Sequence, residues 1–226
     1  MQRHNIFNQV HKGLRAMLYD TALTIQQTDF TKATEAAVVT RKIEKVLHAF
    51  HSHASKEDKF VLPAVEKNDR SLVNEFEAEH ETDEILGNQL AELIDKLNSS
   101  TDEDTILDTG YEILKAFNSF TAFNLYHMNK EEEKINRNLW DHYTDEDILA
   151  IEASIVASIP PADMQLFSTW MIKGINNAEA GKWLSAVQLH APAPVFNGLT
   201  AMAAAELSPE RWRIIKEQLT GEAIVV

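Results

Sequence analysis

Val46-Leu-His-Ala-Phe-His-Ser-His-Ala-Ser-Lys-Glu-Asp-Lys-Phe-Val-Leu-Pro63 decides how this chain folds. Val46, Phe50, Phe60 and Val61 recur at the spacing of one helical stripe, and His53 and Glu57 fall on that same stripe. Residues i and i+4 share a helix face, so His53 and Glu57 direct two ligating groups toward the core. His48 and His51 point the other way, in register with Glu44, Ser55 and Lys59, and read as a solvated face. Burying a His–Glu pair is costly unless something satisfies it.

The pattern returns on three further segments. Val73, Phe76, His80, Glu84, Gly87, Ala91 and Ile94 share a side, as do Phe120, Phe123, His127, Glu131 and Ile135. Phe7, His11, Leu14 and Leu18 form the remaining stripe, with His4 nearer the chain start. Four apolar stripes thus each carry an inward histidine, and three of these have a glutamate four residues on. One core-facing histidine is ordinary core, whereas four on successive helices point to a shared site. Tyr19 and Tyr126 are further candidates for hydrogen bonds near it. Phenylalanines 7, 50, 76 and 123 read equally as a dry pocket lining or as bundle core.

Before residue 144 the chain contains only Gly13, Gly87, Gly110 and Pro63 as helix breakers, the pattern of long uninterrupted helices. Val and Ile do not alternate with polar residues, so strands are unsupported. The spacing predicts helices over about 3–27, 31–67, 70–98 and 103–140, joined by short polar connections. Short connections make neighbouring helices antiparallel, giving an all-α fold built on an up-down four-helix bundle. Beyond residue 143, Ile159-Pro160-Pro161 and Ala191-Pro192-Ala193-Pro194 punctuate shorter helices, about 145–157, 162–178, 179–190, 194–206 and 209–219. The chain therefore divides into a bundle, 1–143, and a C-terminal helical extension, 144–226, expected to pack on the bundle. Trp170, Trp183 and Trp212 read as packing there, and a homodimer surface is the other use such a region has.

The composition excludes several classes of function. There is no cysteine, which removes disulfides, iron–sulfur clusters, thiolate zinc sites and cysteine nucleophiles. A net charge of −14 repels phosphate backbones and anionic lipid, arguing against nucleic-acid and membrane partners. No apolar run approaches the length of a membrane span, and the first ten residues lack the apolar core of a signal peptide, so the expected location is cytoplasmic. Any metal must be held by imidazole and carboxylate, which suit iron, manganese or zinc. Four histidines and two or three glutamates exceed what one tetrahedral ion takes. They suit two ions bridged by carboxylates, with a position left for a small molecule. The order of the residues also differs from ferritin-like di-iron bundles, where glutamate precedes histidine by three.

The ordered set His11, His53-Ala-Ser-Lys-Glu57, His80 and His127-Met-Asn-Lys-Glu131-Glu132 resembles the hemerythrin-like family of HHE cation-binding domains. His11-Lys-Gly-Leu-Arg15 and the run from His53 to Pro63 resemble it too, and the resemblance covers about residues 5–140. It implies a non-haem centre of two iron ions, with Glu57 and a carboxylate of the fourth helix as bridges and the histidines as terminal ligands. The function implied is binding of a small diatomic ligand, O2 or NO, or iron handling. The alternative is an enzyme that activates dioxygen or reduces peroxide. The chain departs from the oxygen-carrying members at Glu84, where they have a second histidine on the third helix. A carboxylate there stabilises ferric iron and argues against simple oxygen carriage. On a regular helix Glu131 lies about 40° from His127 and Glu132 about 140°. Glu131 is therefore the expected bridge, although the oxygen carriers bridge from the fifth residue on, and a local distortion would recruit Glu132 instead.

Overall fold

The computed structural model describes residues 3–220, and no strand occurs among them. No helix among the described residues is long and apolar enough to cross a membrane. The chain divides into two compact units, Met1–Asn8 with Met17–Ile159, and Gln9–Ala16 with Pro160–Val226.

The first unit is the bundle. Helix α1 (Asn8–Gln27) is followed by α2 (Ala33–Lys56), which runs through one π-helical turn, Glu57–Val61, into α3 (Leu62–Glu66). Helix α4 (Arg70–Ser99) returns antiparallel, and α5 (Glu103–Lys130) runs through a second π turn, Glu131–Ile135, into α6 (Asn136–His142). The connections are short and capped. Asp69 accepts from the Leu72 N–H and Asp102 from the Thr105 N–H, each satisfying a donor the first helical turn leaves over.

Helix α1 begins later than the apolar spacing predicts, because residues 3–7 have other partners. The Arg3 guanidinium donates to Asp145 and to the carbonyls of Trp140 and Tyr143, while Trp140 donates to the His4 carbonyl. Asn5 accepts from the Phe7 N–H and from the Asn136 side chain. These bonds hold the segment against α6 in place of a first helical turn.

The long second and fourth helices are interrupted rather than continuous. In each π turn the N–H of the residue after the turn reaches the carbonyl five residues back, Leu62 to Glu57 and Asn136 to Glu131. Pro63 accounts for the first: it has no N–H to donate, and its ring crowds the carbonyl four residues earlier, which a widened turn relieves. In the second, the Asn136 backbone N–H goes to Glu131, and its side-chain amide donates to the Glu132 carbonyl at 3.1 Å. Beyond the π turns, Val61, Leu62, Val65, Ile135 and Leu139 pack with Phe7, Val73 and Phe76.

Helix α7 (Asp145–Ser158), opened by a Thr144–Asp147 capping box, places Ile148 in that same apolar cluster. The composition shift after residue 143 therefore marks a helix start inside the first unit, and the boundary between the units falls after Ile159.

The second unit contains α8 (Pro161–Gly174), α9 (Asn177–His190), α10 (Ala193–Glu206) and α11 (Pro209–Thr220). Ile172, Ile175, Leu184, Ala203 and Ile215 form its core, with Trp183 and Trp212 packed against it. Helix α8 stops at Gly174, earlier than expected, because Asn176 and Glu179 form a capping box that starts α9. Arg211 ties the junction, donating to the Asn177 side chain and to the carbonyls of Lys173 and Ile175.

Candidate metal centre

The inward stripes of α2, α4 and α5 bring Glu57, His80, His127 and Glu131 together, with ligand-capable atoms that all lie within 4.8 Å of one another. His11, His53, Glu57 and Glu131 form a second such set under the same limit. His11 comes from the Gln9–Ala16 stretch of α1, so its place follows from the continuation of that helix. Glu57 and Glu131 belong to both sets. These carboxylates are also the first residues of the two π turns, so each widened turn begins where a glutamate faces inward.

Along α2 the His53 Nε2 lies 3.1 Å from Glu57 Oε1, and along α5 the His127 Nε2 lies 3.1 Å from Glu131 Oε1. The His80 Nε2 sits between the two glutamates, 3.6 Å from Glu57 Oε2 and 3.8 Å from Glu131 Oε1. His80 and His127 face each other edge-on with ring centroids 5.1 Å apart. Phe123 stacks on His127 at 5.8 Å, and Phe76 lies against it at 5.7 Å. Phe7, Phe50 and Phe76 are buried and Phe123 is partly buried, so the phenylalanines expected around the site are in the interior.

The outer nitrogens of two rings are fixed as well. His80 Nδ1 bonds Asp58 at 2.7 Å, and His127 Nδ1 bonds Glu79 at 2.8 Å. A carboxylate can only accept, so each Nδ1 carries the hydrogen and each Nε2 lone pair is directed inward. Neither Asp58 nor Glu79 is on the apolar stripes. The signal for them is adjacency, since each stands next in sequence to an inward residue, Glu57 or His80.

In this donor set, without a cation, protons supply the positive charge. Burial alone would lower the His80 pKa, but Asp58, Glu131 and Glu57 outweigh it and push it up to about 12. Burial also opposes protonation of His127, yet Glu131, Glu57 and Glu79 raise it to about 9. Burial and the neighbouring Glu57 charge push the Glu131 carboxyl up, and the His127 and His80 hydrogen bonds bring it below the ordinary value. Two buried carboxylates facing protonated imidazoles are a balanced arrangement in which cations can replace the protons.

Of the residues expected at the site, His11, His53, Glu57, His80, His127 and Glu131 come together, and Glu84 does not. Glu84 is exposed, and Asp83 takes the inward place. The reason is the seam of α4: Val73, Phe76, His80, Asp83, Gly87, Leu90, Ile94 and Leu97 recur with alternating spacings of three and four. That is a period of 3.5, whereas Glu84 and Ala91 belong to a stripe drawn with two consecutive steps of four. The buried Asp83 carboxylate accepts from the Asn124 side chain at 2.6 Å, and burial raises its pKa against that bond. Glu132 belongs to neither set. Tyr19 and Tyr126 are exposed and play no part, and His48 and His51 are exposed as their phase predicts.

Comparison with known protein families matches residues 3–139 to the hemerythrin HHE cation-binding domain. The chain belongs to the hemerythrin HHE cation-binding family. The family and the buried His/Glu cluster together fit an iron-binding protein. Among curated proteins, this hemerythrin-like chain is 21% identical over 176 residues to a zinc finger protein BRUTUS-like of Arabidopsis thaliana. The match covers 76% of this chain and 14% of that protein, so the chain spans about a seventh of the relative's length. No solved structure matches significantly.

Proposed function

We propose that the bundle holds two iron ions bridged by Glu57 and Glu131, with His11 and His53 completing one position and His80 and His127 the other. The pair would bind a small diatomic ligand such as O2 or NO, or serve in iron handling. The observation that carries this reading is the sharing of both glutamates by both four-residue sets. One ion would leave half of the histidines unused, whereas two ions use every inward group. Each ion would then draw two imidazole nitrogens and one oxygen from each bridge, about four donors against the six an octahedral ion takes. That leaves room for an exogenous ligand in an interior lined by Phe76 and Phe123.

The enzymatic reading drew its support from Glu84, and that residue is exposed. Asp83 supplies a buried carboxylate in its stead, but it is hydrogen-bonded to Asn124. Binding is therefore the function the site supports best.

Elemental analysis together with the optical spectrum of aerobically purified protein tests the proposal. Two irons per chain with oxo-bridged ferric absorption in the near-ultraviolet is the expected result. Protein from iron-replete medium that carries no metal would sink it. His53→Ala should abolish stoichiometric metal while His48→Ala retains it, and equal metal content in the two variants would show the phase argument to be wrong.

A further inference from the structure

We propose that Glu79 and Lys130 form a charge-compensated relay that positions His127 and sets how strongly it donates to a bound cation. Lys130 thereby becomes a control point for the centre at the protein surface. The inference rests on the reading of His127 as a metal ligand.

The relay is continuous in the structure. His127 Nε2 faces Glu131, and Nδ1 on the other edge of the ring donates to Glu79 Oε2 at 2.8 Å. The second oxygen of Glu79 accepts from the Lys130 ammonium. Lys130 also lies 3.1 Å from Glu75 Oε1, which Lys134 approaches at 2.7 Å. Glu79 and Glu75 come from successive turns of α4, and Lys130 and Lys134 flank the second π turn. An ammonium–carboxylate ladder thus leads from the surface to the outer edge of His127. His80 is held differently. Its Nδ1 partner Asp58 is half exposed, and among the described residues no lysine or arginine pairs with that carboxylate.

The chemistry of the two partners differs accordingly. A carboxylate accepting an imidazole N–H makes the opposite nitrogen more basic and fixes the ring's orientation. An ammonium on the same carboxylate withdraws part of that effect. Removing the ammonium should strengthen donation from His127, and removing the carboxylate charge should weaken it. Stronger donation favours the higher oxidation state of a bound iron. The two substitutions therefore act in opposite directions, although the two residues touch each other. A merely structural role predicts the reverse, parallel losses from either substitution.

The test compares Lys130→Met, Lys130→Arg and Glu79→Gln in the full-length, iron-loaded protein, reading reduction potential by spectroelectrochemistry and Fe(II) affinity by competition with a chelator. Lys130→Met should shift the potential to more negative values, Lys130→Arg should restore the wild-type value, and Glu79→Gln should shift it to more positive values. Glu79→Gln should also weaken Fe(II) binding about 10- to 100-fold. Intact iron loading with no shift, or with shifts of the same sign in Lys130→Met and Glu79→Gln, overturns the relay while leaving the di-iron reading standing. Wild-type protein that takes up no iron overturns the di-iron reading itself, and the relay with it.

Discussion

The helices of residues 161–220 and those of the bundle build their interiors from different materials. Ile172, Leu184, Ala203 and Ile215 make an apolar core, and Ser168 is the one buried polar side chain among the described residues of that region. The bundle buries Glu57, Asp83, His127 and Glu131 among its phenylalanines. An apolar core gains stability from every methyl it removes from water. A buried carboxylate does the opposite unless something compensates its charge. In the first region fold and stability coincide, while in the second the residues that matter most are ones the fold alone would not select.

The comparison is broken most directly at Glu57. Glu57→Ala removes a donor common to both sets and should abolish stoichiometric metal binding by elemental analysis, whereas Glu44→Ala on the exposed face of α2 should not. Retention of two metals in Glu57→Ala would show that the glutamates are not shared. Next in size is Leu184→Ala, a cavity mutation in the apolar core, expected to destabilise by about 2–5 kcal/mol in urea unfolding. Its metal content should be unchanged, and loss of metal would mean that the two interiors are not independent in function.

A pH titration of the metal-free protein sharpens the contrast. His80 and His127 have folded-state pKa values raised above the ordinary 6.5, to about 12 and about 9. Below about pH 6.5 both folded and unfolded chains hold these protons, and the stabilisation is fully present. As pH rises the unfolded chain releases them first, so stability falls. The share from His127 is lost by about pH 9, and that from His80 continues to fall toward about pH 12. Thermal unfolding should show a declining midpoint from pH 6.5 to 9 that is reduced in His127→Leu. An unchanged slope in that variant would contradict the assignment. The smallest effect belongs to Glu84→Ala, which should leave metal content intact and alter stability by no more than about 0.5 kcal/mol. Loss of metal there would restore the residue to the site.

Much of this was legible in the sequence because long amphipathic helices announce their inward faces. The placing of His11, His53, His80 and His127 on buried stripes needed only helical phase. Glu84 misled because a 3.6-residue stripe and a 3.5-residue seam coincide at His80 and diverge within the next turn, and Asp83 is the residue the seam selects. The π turns were not legible. A widened turn depends on which carbonyl a backbone N–H reaches, and side-chain spacing upstream carries no trace of it. Asp58, Glu79 and Lys130 were hidden for a related reason. Each stands on a flank of its helix, where a charged residue reads as solvated until the neighbouring helix is known. In the second unit, by contrast, the sequence Asn176-Asn177-Ala178-Glu179 carried its capping box openly, and the boundary there was available to a closer reading.

The two π turns have a consequence for how these helices can change. A π turn accommodates one residue more than an α turn in the same stretch, so each behaves as a single-residue insertion lodged just after a glutamate of the centre. Removing one residue from 58–61 would leave a regular helix but rotate everything beyond it by about 100° relative to His53. Val61, Leu62 and Val65 would then turn away from Phe76, while His53 and Glu57 kept their orientation. The helix is thus divided into two independently phased segments, and drift in one need not be matched by compensation in the other.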